Sequence, residues 1–63
     1  MSALVKTIAY NAEAAELTVH LANGKGYKFK GVPPLVHRNF IKAESKGSFF
    51  NLFIRDSYDF ERL

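Results

Sequence analysis

The residues most able to do chemistry lie in the middle of the chain, where cations alternate with rings. Lys25, Lys28, Lys30, Arg38, Lys42 and Lys46 stand against Glu44 alone, so residues 24–46 carry a formal charge of +5 and each flank carries −1. A charge gathered in one stretch, rather than spread along the chain, is the footprint of a surface that meets a polyanion. Inside that stretch Tyr27 and Phe29 interleave with Lys28 and Lys30. Bases stack on rings and phosphates meet ammonium groups, so this is the composition of a nucleic-acid platform. A second set, Ser45, Asn51 and Arg55, offers a hydroxyl, an amide and a guanidinium near the end of the basic stretch.

Other chemistries find no support. The chain has no cysteine, so disulfides are excluded, and His20 and His37 alone cannot complete a tetrahedral zinc set. No carboxylate pair stands at a spacing that compels acid–base work. No nucleophile has an adjacent base, and no glycine-rich phosphate loop is present. No catalytic residue, metal or cofactor is therefore expected, and the reading is of a non-enzyme. The longest apolar stretch, Phe49 to Ile54, is broken by Asn51 and is far short of the ~20 residues a membrane helix needs. With no leader pattern and no cysteine, a soluble cytoplasmic protein is expected, without a membrane partner.

Positioning those residues requires a core from few elements. Sixty-three residues make one domain over residues 1–63, and a chain this small buries only about 60% of its unfolded surface. The hydrophobic fraction of 48%, with six Phe and three Tyr, supplies dense burial, and self-association is the other route to stability. Leu4 to Tyr10 is rich in β-branched residues and reads as a strand. Asn11 to Ala14 is a turn. Glu16 to Ala22 alternates, with Leu17, Val19 and Leu21 on one face. Gly26 to Val32 is a third strand, with Tyr27 and Phe29 opposed to Lys28 and Lys30.

Face parity sets the hairpin register. A two-residue Asn23-Gly24 loop would place Val19 opposite Lys28 and put lysines on the apolar face. A three-residue loop pairs Leu21 with Lys25, Val19 with Tyr27 and Leu17 with Phe29. A slip of one residue flips every side chain, so the pattern selects the odd loop, with Gly24 in a left-handed conformation. The polar face then pairs Thr18 with Lys28 and Glu16 with Lys30.

Pro33 and Pro34 end the sheet, and Pro34 suits a first helical turn. From Leu35 to Glu44, Val36, Phe40 and Ala43 share one face; Arg38 and Lys42 share the opposite face, Lys46 extends it if the helix reaches that far, and Leu35 and Ile41 flank it. Gly47 is the expected stop. Ser48 then caps a short helix over Phe49 to Arg55 with Phe50, Phe53 and Ile54 buried, and a strand is the rival reading of that run. Tyr58 and Phe60 alternate with Asp59 and Glu61 as a last strand. The fold class is α+β: a three-stranded antiparallel meander, one or two helices, and a short C-terminal strand that either closes a small barrel-like sheet or lies along its edge.

The chain resembles the KTSC domain, a family named for its occurrence at the C-terminus of some lysyl-tRNA synthetases and also found as small stand-alone proteins. The resemblance covers nearly the whole chain. It rests on Ile8, Tyr10, Leu17, Val19, Gly24, Tyr27-Lys28-Phe29 and Gly31-Val32-Pro33. It continues through Val36, Phe40, Ala43-x-Ser45-x-Gly47, Phe50-Asn51, Ile54-Arg55 and Tyr58. The family favours Tyr at both central aromatic positions and an aromatic where His37 sits; this chain has Phe29 and His37 instead. The family has no established activity, and attachment to a synthetase implies RNA as the ligand.

Each set also has a structural reading. Tyr27 and Phe29 can be core and the lysines a solvated face, while Ser45 and Asn51 can satisfy turn backbone and Arg55 can pair with Asp59 or Glu44. The expected function is a small binding module for RNA or single-stranded nucleic acid through residues 24–46. The alternative is a protein-interaction or homodimerising module using exposed Leu35 and Ile41. Because helix and strand cations point apart, the Arg38–Lys42 stripe is expected to outweigh the Lys28–Lys30 pair.

Overall fold

The computed structural model describes residues 4–63. Four strands, β1 (Val5–Asn11), β2 (Glu16–Leu21), β3 (Gly26–Phe29) and β4 (Phe60–Arg62), form one antiparallel sheet in the order β1-β2-β3-β4. Between β3 and β4 the chain runs through α1 (Pro34–Lys42), α2 (Lys46–Phe49) and a π-helical segment (Phe50–Ile54). β4 pairs with β3 and not with β1, so the sheet stays open and the barrel alternative is set aside.

The hairpin follows the parity expectation. Leu17 faces Phe29, Thr18 faces Lys28 and Val19 faces Tyr27, and the Leu21 N–H donates to the Lys25 carbonyl at 2.8 Å. Gly24 has φ +91°, a conformation glycine adopts without a Cβ penalty. The Asn23 side-chain oxygen accepts the Lys25 N–H at 3.0 Å, so the turn is closed from within. The first turn uses the same device: Asn11 Oδ1 accepts the N–H groups of Glu13 and Ala14.

Five sequence expectations need correction. β3 ends at Phe29 rather than Val32, because Gly31 turns the chain with φ +71°. The Lys30 N–H then bonds to the Asp59 carbonyl at 2.8 Å, and the Val32 N–H to Ala15. The ladder therefore has no Glu16–Lys30 pair; Glu16 faces Asn11, and Lys30 Nζ lies 4.0 Å from Glu61 of the incoming β4. Gly47 is not a stop. α1 ends at Lys42, and Ser45, not Ser48, caps α2, its Oγ accepting the Ser48 N–H at 3.3 Å. Phe53 is 55% exposed, whereas Phe50 and Ile54 are buried. The Arg55 N–H bonds to the Phe50 carbonyl at 2.9 Å, an i→i+5 closure. A turn this wide returns to the same face at i+4 rather than i+3, which swings Phe53 outward.

The core gathers Leu17, Val19, Leu21 and Phe29 from the sheet, Phe40 from α1, Phe50 and Ile54 from the π-segment, and Val32 from the connection. Phe40 stacks on Phe49 at 5.5 Å, and Phe29 meets Phe50 edge-on at 5.6 Å. His37 stacks on Tyr10 with centroids 4.6 Å apart. The Tyr10 hydroxyl donates to the Val32 carbonyl at 2.7 Å, tying β1 to the start of the helical half.

Candidate binding site

Alternation along β3 sends Tyr27 and Phe29 to the inner face, and the same parity carries Lys25 to that side through its pairing with Leu21. β4 adds Phe60 directly opposite Phe29. The π-segment contributes Asn51 and, just beyond its end, Arg55, because the widened turn commits Phe50 and Ile54 to the core and leaves these two beside it. The result is an open cavity of about 370 Å³ lined by Lys25, Tyr27, Asn51, Arg55, Asp56 and Phe60, with Phe29 and Phe50 behind them. That volume falls within the ~300–1,000 Å³ of small-molecule sites.

One wall is aromatic. Tyr27 and Phe60 meet edge to face at 5.3 Å, and Phe60 lies 5.5 Å from Phe29. Phe29 itself is core, at 1% exposure, while Tyr27 is half-buried and Phe60 is 51% exposed. The other wall is polar. Two cations and one carboxylate leave it net positive, and Asn51 Oδ1 is buried with no hydrogen-bond partner among the described residues. Buried polar atoms are nearly always paired, so an unpaired one marks a place where a donor is missing. It sits on a π-turn, a feature found disproportionately at functional sites.

The residues singled out by sequence are divided by this geometry. Lys25, Tyr27, Phe29, Asn51 and Arg55 come together at the cavity. Ser45 does not join them; it is occupied as the cap of α2, hydrogen bonded to Ser48. Lys28 and Lys30 project from the opposite sheet face, where Lys28 lies between Thr18 and Glu61. Arg38 and Lys42 are exposed on α1. Lys46 does not prolong their stripe, since the helix stops first and its Nζ donates back to the Ala43 carbonyl at 3.3 Å. Arg55 pairs with neither Asp59 nor Glu44 among the described residues. Among the described residues no group of three metal-ligating side chains occurs, and no helix is long and apolar enough to cross a membrane.

Phe60 went unread as a site residue. Its alternation with Asp59 and Glu61 marked a strand, but only the pairing of β4 with β3 brings it against Tyr27. The helical half leaves the β3–β4 end of the sheet partly uncovered, and the cavity opens there.

The KTSC domain model matches residues 1–58. This chain belongs to the KTSC domain family. A crystal structure of a KTSC domain protein from Yersinia pestis superposes with a TM-score of 0.89, at 30% identity, covering 100% of this chain and 89% of that one. A lysine–tRNA ligase of Nostoc punctiforme is 35% identical over 60 residues, which is 95% of this KTSC domain and 11% of the ligase. The chain thus spans about a ninth of the length of that relative. The family match ends at Tyr58, two positions before Phe60.

Proposed function

We propose that this KTSC domain is a non-catalytic module that binds single-stranded RNA. The observation that carries the reading is the convergence of Lys25, Tyr27, Asn51, Arg55 and Phe60 on one open cavity. Exposed ring faces and cations are the parts that single-strand binders combine. Similarity to a stretch of a lysine–tRNA ligase supports RNA as the polymer. Of the six cations in residues 24–46, Lys25 alone lines the cavity, which Arg55 from outside that stretch also lines. Arg38 and Lys42 form a second contact on α1, and Lys28 and Lys30, on the far sheet face, a third.

A labelled single-stranded oligoribonucleotide, followed by fluorescence anisotropy at about 50 and about 200 mM salt, tests this directly. Affinity should fall steeply as salt rises, because each phosphate contact releases counterions. Absence of binding at the lower salt overturns the reading.

A protein partner or second copy is the other reading, favoured by one observation. Leu35, Ile41, Leu52 and Phe53 are all exposed, with Leu52 at 73%. Association through such residues would be insensitive to salt, which separates it from RNA binding in the same titration.

A further inference from the structure

β1 is an edge strand seven residues long, and we infer that its outer edge pairs antiparallel with β1 of a second copy, joining two sheets into one. Hydrogen-bond parity shows which backbone groups are free. The Leu21 N–H of β2 donates to Lys25 on the β3 side at 2.8 Å, and the Ala22 N–H donates to Leu4 on the β1 side at 2.9 Å. Odd-numbered residues of β2 therefore serve β3, and even-numbered ones serve β1. Glu16, Thr18 and His20 face Asn11, Ala9 and Thr7, so these three turn their backbone groups towards β2. Ile8 and Tyr10 turn theirs outward, where no hydrogen-bond partner is found among the described residues.

Native sheets protect such edges with short strands, charge, proline or bulges. The opposite edge strand, β4, has three residues, and Glu61 and Arg62 are charged. On β1 the irregularity lies between Val5 and Thr7, at Lys6. Thr7 to Asn11 is left regular, without charge or proline.

That stretch complements itself about Ala9. With Ala9 on a two-fold axis, Ile8 of each copy exchanges both backbone bonds with Tyr10 of the other, an isologous contact. Ile8 and Tyr10 both lie on the inner face, so a β-branched chain meets a ring across the seam. Ala9 meets Ala9 as a non-hydrogen-bonded pair, the closer of the two spacings, which a methyl group fits. Antiparallel alignment also carries Lys6 of each copy towards the end that holds Glu13 of the other, where a parallel one would set Lys6 beside Lys6.

The seam has carbon left to bury. Val5, Ile8 and Tyr10 are only half-buried, whereas Leu17 and Val19 next door are fully covered. Exposed Ile41 lies one helical turn from His37, which stacks on Tyr10, and so shares that flank of α1. A chain this short, without disulfides, gains stability by association. A foreign strand would satisfy the backbone alone; a second copy also supplies the matched register and charges. The cavity lies towards β3 and β4, so pairing at β1 leaves it open and does not depend on RNA.

Sedimentation equilibrium of the full chain over about a hundred-fold range of concentration tests the pairing. The protein should pass from monomer to dimer, and amide exchange at Ile8 and Tyr10 should slow in step while that at Leu63 does not. Ala9→Lys and Ala9→Glu each set like charges face to face at the axis, and each should weaken dimerisation several-fold. An equimolar mixture of the two should restore it. Ala9 is exposed on the outer face, so the Tm of dilute protein should hold in both. A monomer at every concentration overturns the pairing, as does a dimer indifferent to both charges or a mixture that stays monomeric. A dimer that dissolves on Leu52→Glu instead would place the contact on the exposed apolar surface and overturn it too. Should either Ala9 variant fail to fold, exchange at Ile8 and Tyr10 in the unmodified chain decides: protection independent of concentration overturns the pairing.

Discussion

The two ends of the sheet's inner face carry similar side chains and meet opposite fates. On β2, Leu17 and Val19 are fully covered, and Phe40 and Ile54 of the helical half belong to the same core. Towards β3 and β4, Tyr27 and Phe60 remain partly open over a cavity. Hydrophobicity does not distinguish the two ends, since both are lined by large apolar groups. Coverage does: α1 and the π-segment seal one end, and at the other the widened turn presents Asn51 and Arg55 instead of more carbon. Tyr27 and Phe60 stay partly uncovered beside Lys25, Asn51 and Arg55, which line the same cavity.

The sharpest way to break this comparison is to remove one ring from each end. Phe40→Ala, at the sealed end, should cost about 3–5 kcal/mol. Against a total of roughly 3–9 kcal/mol for a chain of this length, the cooperative thermal transition should largely disappear. Phe60→Ala, at the open end, should leave a cooperative transition with a modestly lower midpoint. Equal losses in differential scanning calorimetry would mean that the open end is core after all.

Binding sharpens the same contrast. Reversing Lys25 and Arg55 together to Glu should weaken RNA affinity about ten-fold or more, close to 1.4 kcal/mol. Reversing Arg38 and Lys42 should cost less, and Lys28 and Lys30 least, as Lys30 already faces Glu61. Anisotropy titrations in one buffer rank the three pairs, and a dominant Lys28–Lys30 pair would move the interface to the far sheet face.

Much of the sealed end was readable in the residues, and most of the open end was not. Strand alternation is a period-two code, so one frame-shift argument at Ala22-Asn23-Gly24 was enough to fix Val19 against Tyr27. The junction at Ala43 to Arg55 has no such redundancy. Ser45 and Ser48 are both good caps, and the choice rests on which hydroxyl meets which N–H in three dimensions. The π-turn is likewise a tertiary compromise that lets Phe50 and Ile54 reach the core together. Lys30 was assigned Glu16 because β4 arrives from distant sequence and alternation within a hairpin cannot anticipate it. The cavity escaped because a void is set by what fails to cover a surface.

Two smaller effects probe the sealed side of the hairpin and the outer rim. Gly24→Ala adds a Cβ that meets nothing within 4 Å, so only the left-handed backbone is strained. Its cost should be about 1 kcal/mol in chemical denaturation. Glu61→Gln removes an exposed ion pair and should change stability by less than about 0.5 kcal/mol in the same assay. A larger loss there would show that the edge of β4 carries more of the fold than its exposure implies.

The placement of β4 also sets an order in time. β1, β2 and β3 are joined by tight turns, whereas residues 30–59 separate β3 from β4. Closing a longer segment costs more chain entropy before any contact repays it, so the meander can form early and the β3–β4 seam waits for the helical half to dock. With only three paired residues, all exposed, that seam is also the part that opens most readily without global unfolding. Amide exchange at Leu63, which donates to Gly26, and at Lys30, which donates to Asp59, should outpace exchange at Val19. The aromatic gate of the cavity is therefore the last piece of this fold to arrive and the first to leave.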